Sequence, residues 1–296
     1  MARIAHLVMA HTDPEHLVRL SNRLTEFSDV FIHIDSNIPI EKFQEPLKQN
    51  KRCYFVKTRH RTAWGSWAAV SAEITLLEEA LATGTYDRFV FLQGSDYPIK
   101  SNHAIQSFFD EHNGIEFLRA CRCTDSPDKY FYGRCRHYVF PNKRNVLKKI
   151  ADRITRKLDI KLRDGWIYDS GDRYPVYWGS AQWAITRDFA QYAVVFYKNH
   201  KEFNRWFYNA FPADEMYFAT IIMNSEFAVS TIAGGPEAEK PGLTNWRNLH
   251  YFEYGKAIRV LTYEDKDLLV NGKELYARKV YTTVSDDLLD YLDSVQ

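Results

Sequence analysis

The chain has 296 residues, enough to bury a substantial core as one large α/β domain or two fused halves. Its 45% hydrophobic and 26% charged residues are the balance of a globular protein, and a formal net charge of +1 argues against general nucleic-acid binding. No apolar run reaches the ~18 residues of a membrane span, and the opening residues lack the basic and apolar regions of a secretory leader, so the cytoplasm is the expected location.

The first half alternates short apolar strands with amphipathic helices. Ile4–Met9 reads as a strand, and Asp13-Pro14-Glu15 caps a helix running to about Phe27. Val30–Ile34 is a second strand ending at Asp35; a helix near Glu41–Lys48 and a strand at Cys53–Val56 follow. Ser66–Ala82 has helical apolar spacing, and Arg88–Leu92 is a buried strand running into Gln93-Gly94-Ser95-Asp96. Such alternation predicts a parallel sheet with helices on both faces. Ligands of these sheets bind beyond the carboxyl ends of the strands, where Met9, Ala10, His11, Asp35 and Asp96 fall.

The stretch 142–163 interleaves nine Lys and Arg residues with Val146, Leu147, Ile150, Ile154 and Leu158. This is a basic amphipathic pattern suited to an anionic membrane surface, although a solvated helix face has the same composition. Further on, Ser180–Thr186 reads as a strand, Asp188–Tyr197 and Asp214–Asn224 as helices, and Asp286–Leu292 as a short amphipathic helix. With no repeat or linker, residues 1–296 are read as a single catalytic domain, its nucleotide-binding half at about 1–115 and its acceptor half at about 116–296. The four cysteines lack the spacing of a zinc site or a disulfide scaffold and read as buried thiols.

Several chemistries are set aside by missing motifs: no Gly-x-Gly-x-x-Gly, no phosphate-binding Walker loop, no Gly-x-Ser-x-Gly and no His-Glu-x-x-His is present. The Asp265-Lys266-Asp267 triplet lies in a polar stretch before an apolar helical pattern and reads as a turn and helix cap rather than a metal site. A nucleotide-sugar enzyme built this way has to meet the departing diphosphate with Arg and Lys, and no metal or other cofactor is expected. Asp214 and Glu215 sit at a helix start among aromatic residues. There they either complement the helix dipole or supply a base for an attacking hydroxyl. Adjacent on one helix, they cannot form the spaced pair of a glycosidase.

Four groups of residues, in order, resemble the core-2/I-branching family of β-1,6-N-acetylglucosaminyltransferases and the related peptide O-xylosyltransferases. They are Ala5–His11 with His33-Ile34-Asp35; Leu92–Lys100, which contains Ser95-Asp96-Tyr97-Pro98; Trp178–Trp183 followed by the Pro212–Glu215 helix start; and Leu275–Lys279. The resemblance spans roughly residues 3–280 and implies a GT-A-like nucleotide-sugar-binding sheet and metal-independent transfer with inversion. It makes Glu215 the catalytic base. It assigns the diphosphate to Arg259 and Lys279 with help from Arg278, and the nucleotide to Met9, Ala10, His11, Asp35, Trp64 and Asp96. Trp183, Trp246 and Tyr251 are the acceptor-side candidates.

The implied donor is a UDP-sugar, N-acetylglucosamine first and xylose second. Ser95-Asp96-Tyr97-Pro98 is closer to the xylosyltransferase form, whereas Asp214-Glu215 is closer to the branching enzymes. The implied acceptor is a glycan, free or lipid-linked, with 142–163 touching the inner membrane face. The chain lacks the anchor, stem and dense cysteines of the animal Golgi enzymes, implying a compact bacterial-type member. The alternative is a non-catalytic sugar-nucleotide-binding module.

Overall fold

The computed structural model describes residues 1–139, 150, 153–155, 157–237 and 248–295; Trp246 and much of the basic stretch 142–163 lie outside them. The first half lays down β1 (Ile4–Ala10), α1 (Pro14–Thr25), β2 (Asp29–Ile34), β3 (Cys53–Phe55), α2 (Trp67–Thr83), β4 (Arg88–Gln93), β5 (Asp96–Pro98) and α3 (Asn102–Glu111). The expected helix near Glu41–Lys48 is one short turn, Glu41–Gln44, continued by a 3₁₀ turn over Glu45–Leu47. Asp13 caps α1 by accepting from the His16 N–H at 3.1 Å, with Pro14 in the first turn, where its missing N–H costs nothing.

The second half adds β6 (Ala120–Arg122), α4 (Lys129–Arg134), β7 (Trp166–Asp169), β8 (Asp172–Pro175), β9 (Tyr177–Gly179) and β10 (Ala184–Thr186). After these come α5 (Arg187–Asn199), α6 (Lys201–Phe207), α7 (Ala213–Met223), β11 (His250–Tyr251), β12 (Tyr276–Arg278) and α8 (Asp286–Ser294).

The main sheet runs β10-β4-β1-β2-β3. Its β4, β1, β2 and β3 are parallel, and β10 closes the edge antiparallel to β4. Two differences from the sequence expectation follow. The sheet is not wholly parallel, because the second half of the chain supplies that last strand. The expected strand Ser180–Thr186 also shortens to Ala184–Thr186, since the Ser180 hydroxyl accepts from the Gln182 N–H at 3.1 Å and bends the chain first.

Neighbouring strand residues point to opposite faces, and both faces are buried, as a parallel sheet requires. On one face Leu7, Phe31, Phe89 and Phe91 pack with Val70, Ile74 and Leu77 of α2 and Phe218 of α7. On the other, Val8, Ile32, Val90 and Leu92 pack with Leu17, Leu20 and Leu24 of α1 and Leu288 of α8. A smaller sheet, β11-β12-β5, stands beside the strand ends, with Arg278 of β12 opposite Asp96 of β5. Among the described residues the four cysteines form no disulfide, and no helix is long and apolar enough to cross a membrane.

Candidate active site

The carboxyl ends of β1, β2 and β4 open into a cavity of about 390 Å³ lined by Met9, Ala10, His11, Asp35 and Gln93. Gly94 lets the turn after β4 lie against β1: a Cβ there would stand 2.6 Å from that of Ala10. A second cavity of about 410 Å³ adjoins it, walled by Tyr130, Arg134, Trp178, Phe211, Phe252 and Tyr254. His11, Trp64, Gln93, Asp214, Arg278 and Lys279 line both, so these are two lobes of one cleft.

The partition between the lobes is built from three segments. Gly65, in the left-handed region at φ +69°, lets the Trp64 loop tuck beneath Phe211, and its carbonyl accepts from the Ala213 N–H at 2.8 Å. Trp64 is 72% exposed and meets the Phe211 ring edge-on at 4.9 Å. Next, α7 delivers Asp214 and Glu215 in its first turn. The Glu215 carboxylate accepts from Trp178 Nε1 of β9 at 2.8 Å. Burial raises both carboxyls above their ordinary range, and the neighbouring charge of Asp214 raises Glu215 further; the Trp178 bond, Arg134 and Arg278 oppose the rise. A carboxylate whose proton affinity is lifted toward neutrality while one donor fixes its direction suits general-base work.

The third segment is the end of β12. Arg278 is nearly buried and donates from Nη2 to Gln93 Oε1 at 2.7 Å. Lys279 follows it, its ammonium pushed down by burial and then by the Arg278 charge. These two cations line both lobes.

At the strand-end lobe, Asp35 Oδ1 accepts from the Asn37 N–H and Nδ2 at 2.7 and 2.9 Å, while Oδ2 accepts from the Thr62 N–H and hydroxyl at 2.8 and 2.6 Å. Burial would raise this carboxyl, but those bonds outweigh it and hold the group below its ordinary value. Asp35 therefore fastens Asn37 and Thr62, which line the same lobe.

Other expected site residues lie elsewhere. Arg259 reaches neither lobe: it is 42% exposed and is held at 2.6 Å by Glu253 and 2.7 Å by Asp265. Asp265 in turn closes a capping box with Thr262, so the Asp265-Lys266-Asp267 triplet is a turn and helix cap. Asp96 is fully buried beneath the cleft rather than lining it. Trp183 is core, 1% exposed and stacked on Phe91 at 5.2 Å. Tyr251 is buried on β11, and the aromatic lobe takes Phe252 and Tyr254 just beyond it. Trp246 lies outside the described residues.

Sequence reasoning missed Arg134, which donates from Nη1 to the Phe211 carbonyl at 3.1 Å and sits over the Tyr130 ring at 4.3 Å. It also missed Glu73, a fully buried carboxyl on α2 that burial, and then the charge of Asp214, pushes well up. An acid inside an otherwise apolar helical pattern was the available signal for Glu73.

The chain is 24% identical to Xylosyltransferase 2 of Rattus norvegicus across 99% of its own length and 33% of that protein. It is 23% identical to Xylosyltransferase 1 of Homo sapiens across 82% of its length and 24% of that protein. It thus spans about a third or less of the length of these curated relatives. Among solved structures, mouse Xyloside xylosyltransferase 1 in its apo form matches 93% of this chain and 97% of that one, with 9% identity and a TM-score of 0.35. The model of the core-2/I-branching enzymes matches residues 4–248, and the chain belongs to that family.

Proposed function

We propose that the chain is an inverting glycosyltransferase that moves a sugar from a UDP-sugar to a hydroxyl of a glycan acceptor. The observation that carries this reading is the position of Glu215, held by Trp178 in the aromatic lobe beside Asp214, which lines both lobes. The nucleotide sits over Met9–His11 and Asn37, with its diphosphate reaching Arg278 and Lys279. The acceptor lies in the other lobe against Tyr130, Trp178 and Tyr254, whose ring faces suit the apolar faces of a sugar.

The acceptor oxygen attacks the anomeric carbon as Glu215 takes its proton. The bond to the diphosphate oxygen breaks, and UDP leaves with the electron pair. In-line displacement turns an α-linked donor into a β-linked product. Arg278 and Lys279 face the charge that grows on the leaving group, the task that a divalent cation performs elsewhere. N-acetylglucosamine and xylose are the donors to compare first, the second being the sugar in the names of the curated relatives.

A lipid-linked acceptor at an anionic membrane is part of the same proposal. Of the basic stretch, Ile150, Ile154 and Leu158 are described and exposed at four-residue spacing, and binding to anionic liposomes at low salt tests it. Turnover of a UDP-sugar panel with EDTA present tests the main reading. Glu215→Gln loses about 10²–10⁴-fold in turnover while keeping its affinity for UDP. Near-normal turnover in that variant removes Glu215 as the base.

A further inference from the structure

We propose that Asp96 and His250 are a buried positioning pair that aims Arg278 at the diphosphate without touching substrate. This rests on the reading of the cleft just given. Asp96 and His250 are 0% and 1% exposed, so neither can meet a ligand. The antiparallel register of β5 and β12 sets Asp96 opposite Arg278. Asp96 Oδ1 lies 3.5 Å from Arg278 Nε, and Oδ2 lies 3.3 Å from His250 Nε2 while accepting from the Gln93 N–H at 2.7 Å. His250 is itself fixed by stacking on Tyr276 at 5.2 Å, two residues before Arg278 on β12.

Two holds therefore act on one guanidinium. Asp96 draws its Nε side into the protein, and Gln93 Oε1 accepts a hydrogen bond from Nη2 at 2.7 Å. An arginine side chain otherwise has many rotamers, and fixing it beforehand leaves its remaining N–H edge ready for a phosphate without an ordering cost at binding. The 3.5 Å separation from Arg278 exceeds the 2.7–2.9 Å of a tight charge-assisted bond, so Asp96 steers Arg278 by charge and leaves its donors unsaturated. A buried aspartate without Arg278 would be an uncompensated charge, and Arg278 without Asp96 would be free to swing away.

The test is calorimetric binding of UDP and of uridine to the full chain and to Arg278→Ala, Asp96→Asn and His250→Gln, with melting temperatures in parallel. Both Arg278→Ala and Asp96→Asn should weaken UDP about tenfold, the scale of one hydrogen bond to a charged group, with uridine unchanged. His250→Gln should shift the same ratio in the same direction. In the Arg278→Ala background, Asp96→Asn should add nothing to the ratio. A folded Asp96→Asn with the wild-type ratio overturns the inference while the cleft reading stands. So does an additive double variant, which would put Asp96 on the substrate directly. If Asp96→Asn does not fold, an unchanged ratio in His250→Gln is the overturning result. An Arg278→Ala protein that binds both ligands normally refutes the reading of the cleft itself.

Discussion

Replacing Trp178 by Phe keeps the ring that packs on Phe131 at 4.8 Å and removes the Nε1–H that reaches Glu215 at 2.8 Å. A hydrogen bond to a charged group contributes about 1.5–3 kcal/mol. Glu215 is half-buried and opens on the cleft, so water recovers part of that and the lower end applies. At 1.36 kcal/mol per unit, the Glu215 pKa then rises by about one unit. The sign follows from the chemistry. The base works ionised, so activity climbs as pH rises through its pKa, and the loss of a donor to the ionised form moves that climb to higher pH. The assay is kcat/KM against pH with a UDP-sugar, taken as the variant-to-wild-type ratio at each pH so that any alkaline limb from Lys279 cancels. About a tenfold deficit on the acid side should close toward the alkaline side. A deficit equal at every pH, or an acid limb that stays in place, would refute the view that Trp178 holds the ionised base.

Three further outcomes are expected. Arg259→Ala should leave UDP affinity within about twofold, as surface substitutions do, because its guanidinium is already held by Glu253 and Asp265 outside the cleft; a large loss by calorimetry would return it to the diphosphate. Trp183→Ala should cost about 3–5 kcal/mol in denaturant unfolding, since Trp183 fills the core between Phe91 and Phe218; a stable variant with weakened acceptor binding would contradict this. Glu73→Gln should raise the melting temperature near neutral pH and flatten its fall with pH. The native Glu73 carboxyl binds its proton more tightly than the unfolded one, so the wild type loses stability as pH rises above about 4.3; parallel melting curves for the two proteins would refute it.

The strand-end lobe of the cleft was legible in the sequence because periodicity and chain order define it. The predicted strands Ile4–Met9, Val30–Ile34 and Arg88–Leu92 each differ from the observed ones by one residue, and the rule that ligands sit beyond strand ends carries Met9, Ala10, His11 and Asp35 to one cavity. Glu215 was legible as a cleft residue for a different reason: an acidic pair at the start of a helix as apolar as α7 has few local uses beyond the dipole, and the family pattern proposes Glu215 from the two as the base.

What the sequence did not disclose depends on contacts between residues far apart in the chain, where residue type alone cannot say which way a side chain faces. Trp183 and Trp178 read alike as aromatics in one motif. They lie five positions apart, on opposite sides of the bend at Ser180, so Trp178 reaches the cleft and Trp183 turns into the core under α2 and α7. Arg259 and Arg278 read alike as cations near the C-terminus. Two local carboxylates, Glu253 and Asp265, hold the first at the surface, whereas antiparallel pairing with β5 carries the second over Asp96 and into the cleft. Charge and position near a motif therefore say that a cation is available, but the strand pairing decides which one lines the cleft. Under the proposed function, diphosphate stabilisation rests on that pairing, because an arginine can meet the leaving group only where the fold has already fixed its direction.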